Sequence, residues 1–275
     1  MLPRRSVAVL FGLLSASALA ASPPQRIVSL NKCADQLLLA LVEPSRIASV
    51  SPLGSDELSF LAKEIKALPA NSGRGESVLL SNADLVLTGA FESHTRRDLL
   101  RRQGFEAVVL QPWKSIAEGR GQICELARRL GSEERGEALI GAIDAALERS
   151  RDVSPARRSV LVLQHRGYTP GDTGIVDELL RHTGLAPYSE RLGLPHGGMV
   201  SLEKVVTDPP DYLLLGDGAR AAIDQGSALL WHPALTAVLP PERRLYLPDR
   251  LSICGGPATP PLIDALAAEV RSKVR

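Results

Sequence analysis

SIAEGRGQICELARRLGSEERGEALIGAIDAALERSR, residues 115–151, is a charged, helix-forming span with strand-rich sequence on both sides. Gly131 after Leu130 is a helix terminator. Ser132 then caps a second helix whose first turn carries Glu133 and Glu134, where the helix dipole favours acids. From there Ala138, Leu139, Ala142, Ile143, Ala146 and Leu147 recur at the spacing of one buried stripe, while Glu137, Asp144, Glu148 and Arg149 face outward. About seventeen helical residues at a rise of about 1.5 Å span roughly 25 Å, the width of a small domain. The first half, with Ile116, Ile123, Leu126, Ala127 and Leu130, reads as a preceding helix weakened by Gly119 and Gly121. If the flanks are two copies of one α/β plan, this span is the strut that joins them.

A repeat supports that plan. ESVLLSNADLVLTG, residues 76–89, aligns without gaps on EKVVTDPPDYLLLG, residues 203–216, at a constant offset of 127 positions. Glu76 and Glu203, Val78 and Val205, Asp84 and Asp211, Leu87 and Leu214, and Gly89 and Gly216 coincide. Each copy reads as a short helix, a turn carrying Asp, an apolar strand, and a Gly where the strand ends. Around the copies, strands predicted at 26–30, 46–50, 84–88 and 107–110, and again at 159–164, 212–215 and 244–247, alternate with helices. That alternation predicts parallel sheets with covered faces. The expected organisation is a segment 1–20 removed on export, an N-terminal lobe over 21–114, a helical linker over 115–151 containing an interlobe helix, and a C-terminal lobe over 152–275.

The leading segment has the three parts of a secretory signal: Arg4 and Arg5, the apolar run Val7 to Leu14, and the small-x-small pattern Ala18-Leu19-Ala20. The run is too short to stay in a bilayer as an anchor. A net charge of +1 in 275 residues, with acids and bases interspersed, gives no electrostatic case for nucleic acid. Three cysteines are too few and too scattered for a disulfide framework or a zinc knuckle. Cys33 and Cys254 both sit at turns leading into helices. They form a disulfide if the turns meet, and two buried thiols are the other reading. No nucleophile elbow, phosphate loop, His-Glu-x-x-His or dinucleotide fingerprint is present, so the chain offers no enzyme motif.

Arg26-Ile27-Val28-Ser29-Leu30 before a helix, the repeated Glu-to-strand segment, the mid-chain helix, and Asp177-Glu178-Leu179-Leu180 before Gly184 resemble the iron-siderophore and vitamin B12 class of periplasmic substrate-binding proteins. The resemblance covers nearly all of the chain from Arg26 on. It implies two Rossmann-like lobes with central parallel sheets, bridged by one long helix, with little hinge closure. It further implies a monomer that holds a siderophore, cobalamin or haem in the interlobe cleft, any iron or cobalt being part of the ligand rather than a resident cofactor. Delivery would be to an inner-membrane ABC permease and its ATPase, with one glutamate per lobe docking on permease arginines. By motif these are Glu76 and Glu203, although Ala83 replaces the Pro usual before the Asp. The alternatives are an exported binder of a bare metal ion and a chelatase-like enzyme on the same two-lobed plan.

Loops at the carboxyl ends of strands line ligand clefts in such sheets. On the N-terminal side that rule selects Asn31, Lys32, the loop near Ser51, Phe91, His94 and Trp113. On the C-terminal side it selects His165, Arg166, Tyr168, Asp217, Arg220 and the stretch from Arg250 to Cys254. Aromatic faces suit flat macrocycles, and arginines suit anionic chelates. No two histidines stand at the helical spacing of a metal-ligand pair.

Overall fold

The computed structural model describes residues 22–92, 94–154, 156–220 and 228–275; the side chains of His94, Arg96 and Arg220 also lie outside the description, as does the predicted export signal. Two four-stranded parallel sheets carry the chain. The first holds β1 (Ile27–Ser29), β2 (Ile47–Ser49), β3 (Leu85–Gly89) and β4 (Ala107–Leu110) in the order β2-β1-β3-β4. Its helices are α1 (Lys32–Leu41), α2 (Ala62–Ile65), α3 (Gly75–Leu79) and α4 (His94–Arg102). α1 begins at Lys32, ahead of its apolar run, because the Asn31 side chain accepts the Cys33 and Ala34 N–H groups.

Next come α5 (Ile116–Leu130) and α6 (Glu133–Ser150). The second sheet holds β5 (Ser159–Val162), β7 (Ala186–Pro187), β9 (Tyr212–Gly216) and β10 (Arg244–Leu247) in the order β7-β5-β9-β10, the same plan as the first. A small antiparallel ribbon pairs β6 (Tyr168–Thr169) with β8 (Gly198–Met199). The remaining helices are α7 (Ile175–His182), α8 (Leu202–Thr207), α9 (Pro233–Val238), α10 (Asp249–Ser252) and α11 (Thr259–Lys273). Among the described residues no helix is long and apolar enough to cross a membrane.

The repeated aspartate has one job in both lobes. Asp84 accepts the Gln25 and Arg26 N–H groups at 2.6 and 3.0 Å, and Asp211 accepts the Ser159 N–H and hydroxyl, both at 2.8 Å. Each therefore ties the strand of its own repeat to the start of the lobe's first strand, β1 or β5.

Alternation along the strands sorts three apolar clusters. Val28 and Val86 pack with Val78 and Leu100 on the outer face of the first sheet. Leu161, Leu213 and Leu215 pack with Leu230, Leu235 and Leu239 on the outer face of the second. The inner faces, with Ile27, Leu85, Val160 and Leu214, join α1, α5, α6 and α11 in one cluster that runs through both lobes.

The strut is a helical hairpin. α6 is the long bridging helix that the sequence predicts, touching α1 in one lobe and α11 in the other. α5 runs beside it in the opposite direction. The α5 start is held by Glu178 of the C-terminal lobe, which accepts the Ile116 N–H at 2.8 Å; its end is held by Arg46 of the N-terminal lobe, which donates to the Leu130 carbonyl at 2.7 Å. The α6 end returns to the C-terminal lobe, where Arg149 pairs with Asp264. Gly131 stops α5 in the left-handed conformation, as expected, but Ser132 makes no side-chain cap and its hydroxyl donates back to the Ala127 carbonyl. The buried stripe of α6 also differs from expectation. Gly136, Ile143, Ala146 and Ser150 are buried while Ala138 and Ala142 face out, because Gly136 sits directly against Ala127 of α5 and sets the rotation of the helix.

Asp35 is fully buried in α1, and its carboxylate accepts the Ser51 N–H at 3.0 Å and the Ser51 hydroxyl. Burial pushes its pKa up to about 6 against those hydrogen bonds and the nearby Lys32. The folded state thus holds the proton more tightly than the unfolded chain, so its stabilising share is fully present below about pH 4 and is lost as pH rises through about 6. Denaturation of wild type and Asp35→Asn across this range should show wild type losing on the order of 2–3 kcal/mol relative to the variant. A pH-independent difference would contradict the assignment.

Candidate functional site

A cavity of about 300 Å³ opens between the lobes, at the lower end of the range for small-molecule sites. Its N-terminal wall follows β1, β3 and β4: Asn31 and Cys33, Gly89 to Phe91, and Leu110 to Trp113. The C-terminal wall comes from Pro170 to Asp177 around the start of α7 and from Ser252 to Gly255 after α10, while Gln122 of α5 enters from the strut. Both walls lie at strand carboxyl ends. Parallel strands connected by returning helices leave their loops there.

The rim is apolar and unpaired. Phe91 is 92% exposed and Ile253 46% exposed, and they belong to opposite walls. Deeper in the cleft the polar groups are engaged. Asn31 caps α1, and Gln122 accepts the Trp113 indole N–H at 3.0 Å while donating to the Gln111 carbonyl at 3.1 Å. Asp177, itself buried, pairs with Arg181 at 2.7 Å; burial pushes its pKa up and Arg181 opposes the shift.

The structure brings Asn31, Phe91 and Trp113 to the cavity. Trp113 is only 9% exposed, because the ring around Cδ2 and Cε3 lies against both Gly119 of α5 and Gly255: a Cβ at Gly119 would come to 2.3 Å of the ring and one at Gly255 to 2.4 Å. It packs the cleft floor, and Gly119, which weakens α5 in isolation, makes the space. Lys32 turns away to pair with Asp56. His165, Arg166, Tyr168 and Arg250 are exposed but do not line the cavity. Arg166 stands in the left-handed region at φ 60°, and Tyr168 belongs to the β6–β8 ribbon. The side chains of His94 and Arg220 are outside the described residues.

Gln111, Gln122 and Asp177 are wall residues that the strand-end rule does not select, whereas Ile253 falls in its stretch Arg250 to Cys254. Gln111 directly follows β4 and was within its reach, whereas Gln122 lies inside a helix and carries no such signal. Cys33 and Cys254 are joined in a disulfide with Cα atoms 5.2 Å apart, and both line the cavity. Among the described residues no group of three or more His, Cys, Asp or Glu side chains is placed to hold a metal ion.

Glu76 and Glu203 are exposed in the first turns of α3 and α8. These helices run back from the carboxyl edges of the sheets to the starts of β3 and β9, so both glutamates stand on the cleft side of their lobes. The Glu203 carboxylate is held below the usual range by its own backbone N–H and the Ser201 hydroxyl, and stays ionised.

The whole body is similar to several solved structures. The periplasmic heme-binding protein RhuT from Roseiflexus sp. RS-1, in its apo form, matches with TM-score 0.76 and 23% identity over 91% of this chain and 99% of that one. A periplasmic heme-binding protein from Pseudomonas aeruginosa matches with TM-score 0.71 and 21% identity over 92% and 94%. The periplasmic vitamin B12-binding protein BtuF of Vibrio cholerae matches with TM-score 0.68 and 19% identity over 91% and 98%. At these identities the likeness establishes the fold. No curated protein matches the chain by sequence. A family model, described as periplasmic binding protein, matches residues 27–236, most of the chain and both lobes. The chain belongs to the periplasmic binding protein family.

Proposed function

We propose that the protein captures an iron chelate or corrinoid, of the siderophore, cobalamin or haem type, in the interlobe cleft and delivers it to an inner-membrane ABC importer. The observation that carries this reading is the apolar rim: Phe91 and Ile253 project from opposite walls over an open cavity, where a flat macrocycle can cover both. Solved relatives on the same fold bind heme and vitamin B12, and a family of binding proteins rather than enzymes is consistent with a cleft whose deeper polar groups are already paired. The family places the protein in the periplasm, and the predicted signal over 1–20 is the route there.

Glu76 and Glu203 are the docking points for the permease. One charge per lobe fixes orientation as well as attraction when the partner has two cationic sockets.

Titration of the mature protein with cyanocobalamin, haem and ferric siderophores, followed by tryptophan fluorescence, should give saturable binding to at least one. Silence toward all three would sink the assignment. Covering Phe91 is worth about 1–2 kcal/mol, so Phe91→Ala should weaken the ligand that binds by about tenfold. Unchanged affinity would move the site elsewhere. Glu76→Ala combined with Glu203→Ala should leave affinity intact and reduce uptake in reconstituted vesicles. Lost affinity with normal uptake would contradict the docking role.

A further inference from the structure

The cleft floor contains a covalent bond between the lobes. Cys33 lies in the first turn of α1 and Cys254 lies 221 residues later, after α10, yet their sulfurs are bonded. The residues after Cys254 continue the attachment. Gly255 lies on the Trp113 ring, where a Cβ would meet indole carbons at 2.4 Å, and Gly256, at φ +91°, lies against Leu37 of α1. Residues 253–256 of the C-terminal lobe are thus fastened to the N-terminal lobe by one bond and two close packings, and Ile253, at the head of this segment, reaches the cavity rim.

We propose that the Cys33–Cys254 disulfide is a latch that fixes the position of the Ile253 wall relative to Phe91, and so sets how long a ligand stays in the cleft. The consequence for the ligand rests on the binding function proposed above; the latch itself does not. The shared core already holds the lobes together through α5, α6 and α11, so the bond is not needed to keep them in one body. What it adds is local, because both bonded residues are themselves wall residues. A four-residue α10 and a loop with two consecutive glycines give the wall little stiffness of its own. Residues selected for this role are the cysteine pair, Trp113, Gly255 and Gly256. They position the ligand-facing side chains without being the grip.

The test compares wild type with Cys33→Ser/Cys254→Ser in two measurements. In hydrogen–deuterium exchange, the latch predicts that amides of residues 253–256 and of the first turn of α1 exchange at least about tenfold faster in the variant, with β3 and β9 unchanged. In stopped-flow displacement of bound cyanocobalamin, haem or ferric siderophore, whichever binds, it predicts an off-rate raised about fivefold or more with the on-rate little altered. Unchanged exchange at both segments overturns the latch, and faster exchange with an unchanged off-rate overturns its control of the ligand. If none of the three probes binds either form, the ligand assignment fails while the exchange measurement still decides the latch. Should the double variant fail to fold, wild type is treated in its folded state with a dithiol: two cysteine thiols form as the reagent closes to its own disulfide, and the same two readouts apply.

Discussion

One apolar core has to serve two sheets. Each lobe covers the outer face of its sheet locally, with Val78 and Leu100 in one and Leu230, Leu235 and Leu239 in the other. The inner faces are covered jointly. They are closed by the α5–α6 hairpin together with α1 and α11, whose buried residues form a continuous cluster from Ile27 to Val274. Separating the lobes would expose this cluster to water, so large hinge motion is disfavoured by the same term that folds the protein.

The hairpin is anchored at three points by groups drawn from both lobes. Glu178 satisfies a free N–H at the start of α5, Arg46 a free carbonyl at its end, and Arg149 with Asp264 fixes the end of α6. These contacts give a physical reason for residues that look arbitrary in the chain. In Asp177-Glu178, the first acid lines the cleft and the second caps the strut. In Cys254-Gly255-Gly256, the first residue bonds to α1, the second makes room for Trp113, and the third supplies a backbone conformation that other residues adopt only under strain. A binding cleft and a rigid frame are therefore built from adjacent residues of the same short segments.

Much of the frame was legible because it rests on periodicity. The repeat at a 127-residue offset reappears as two sheets of matching strand order, and its aspartates reappear as anchors of β1 and β5. The site was less legible. The strand-end rule finds the edge of a sheet but not the direction in which a side chain leaves it, so Lys32 was selected and turns to Asp56, while Gln122, inside a helix, was not. Trp113 was selected as an aromatic grip and is a floor, since the glycines that sandwich it stand six positions away in one case and 142 in the other. Spacing alone puts Ala138 and Ala142 on the buried side of α6, but alanine at the edge of an amphipathic stripe carries almost no directional signal; the contact of Gly136 with Ala127 decides the rotation.

The sequence by itself determined the two-lobed α/β plan, the strut between the lobes, and the placing of Glu76 and Glu203 at equivalent points, because apolar alternation and helix-start chemistry act over a few neighbouring residues. Tertiary structure alone decided which residues face the cleft, that the two helices of the strut close one core shared by both lobes, and that Cys33 meets Cys254 across it. Those outcomes depend on contacts between residues far apart in the chain, 62 and 84 positions for the strut anchors and 221 for the disulfide, and nothing in the local chemistry of either partner specifies the other.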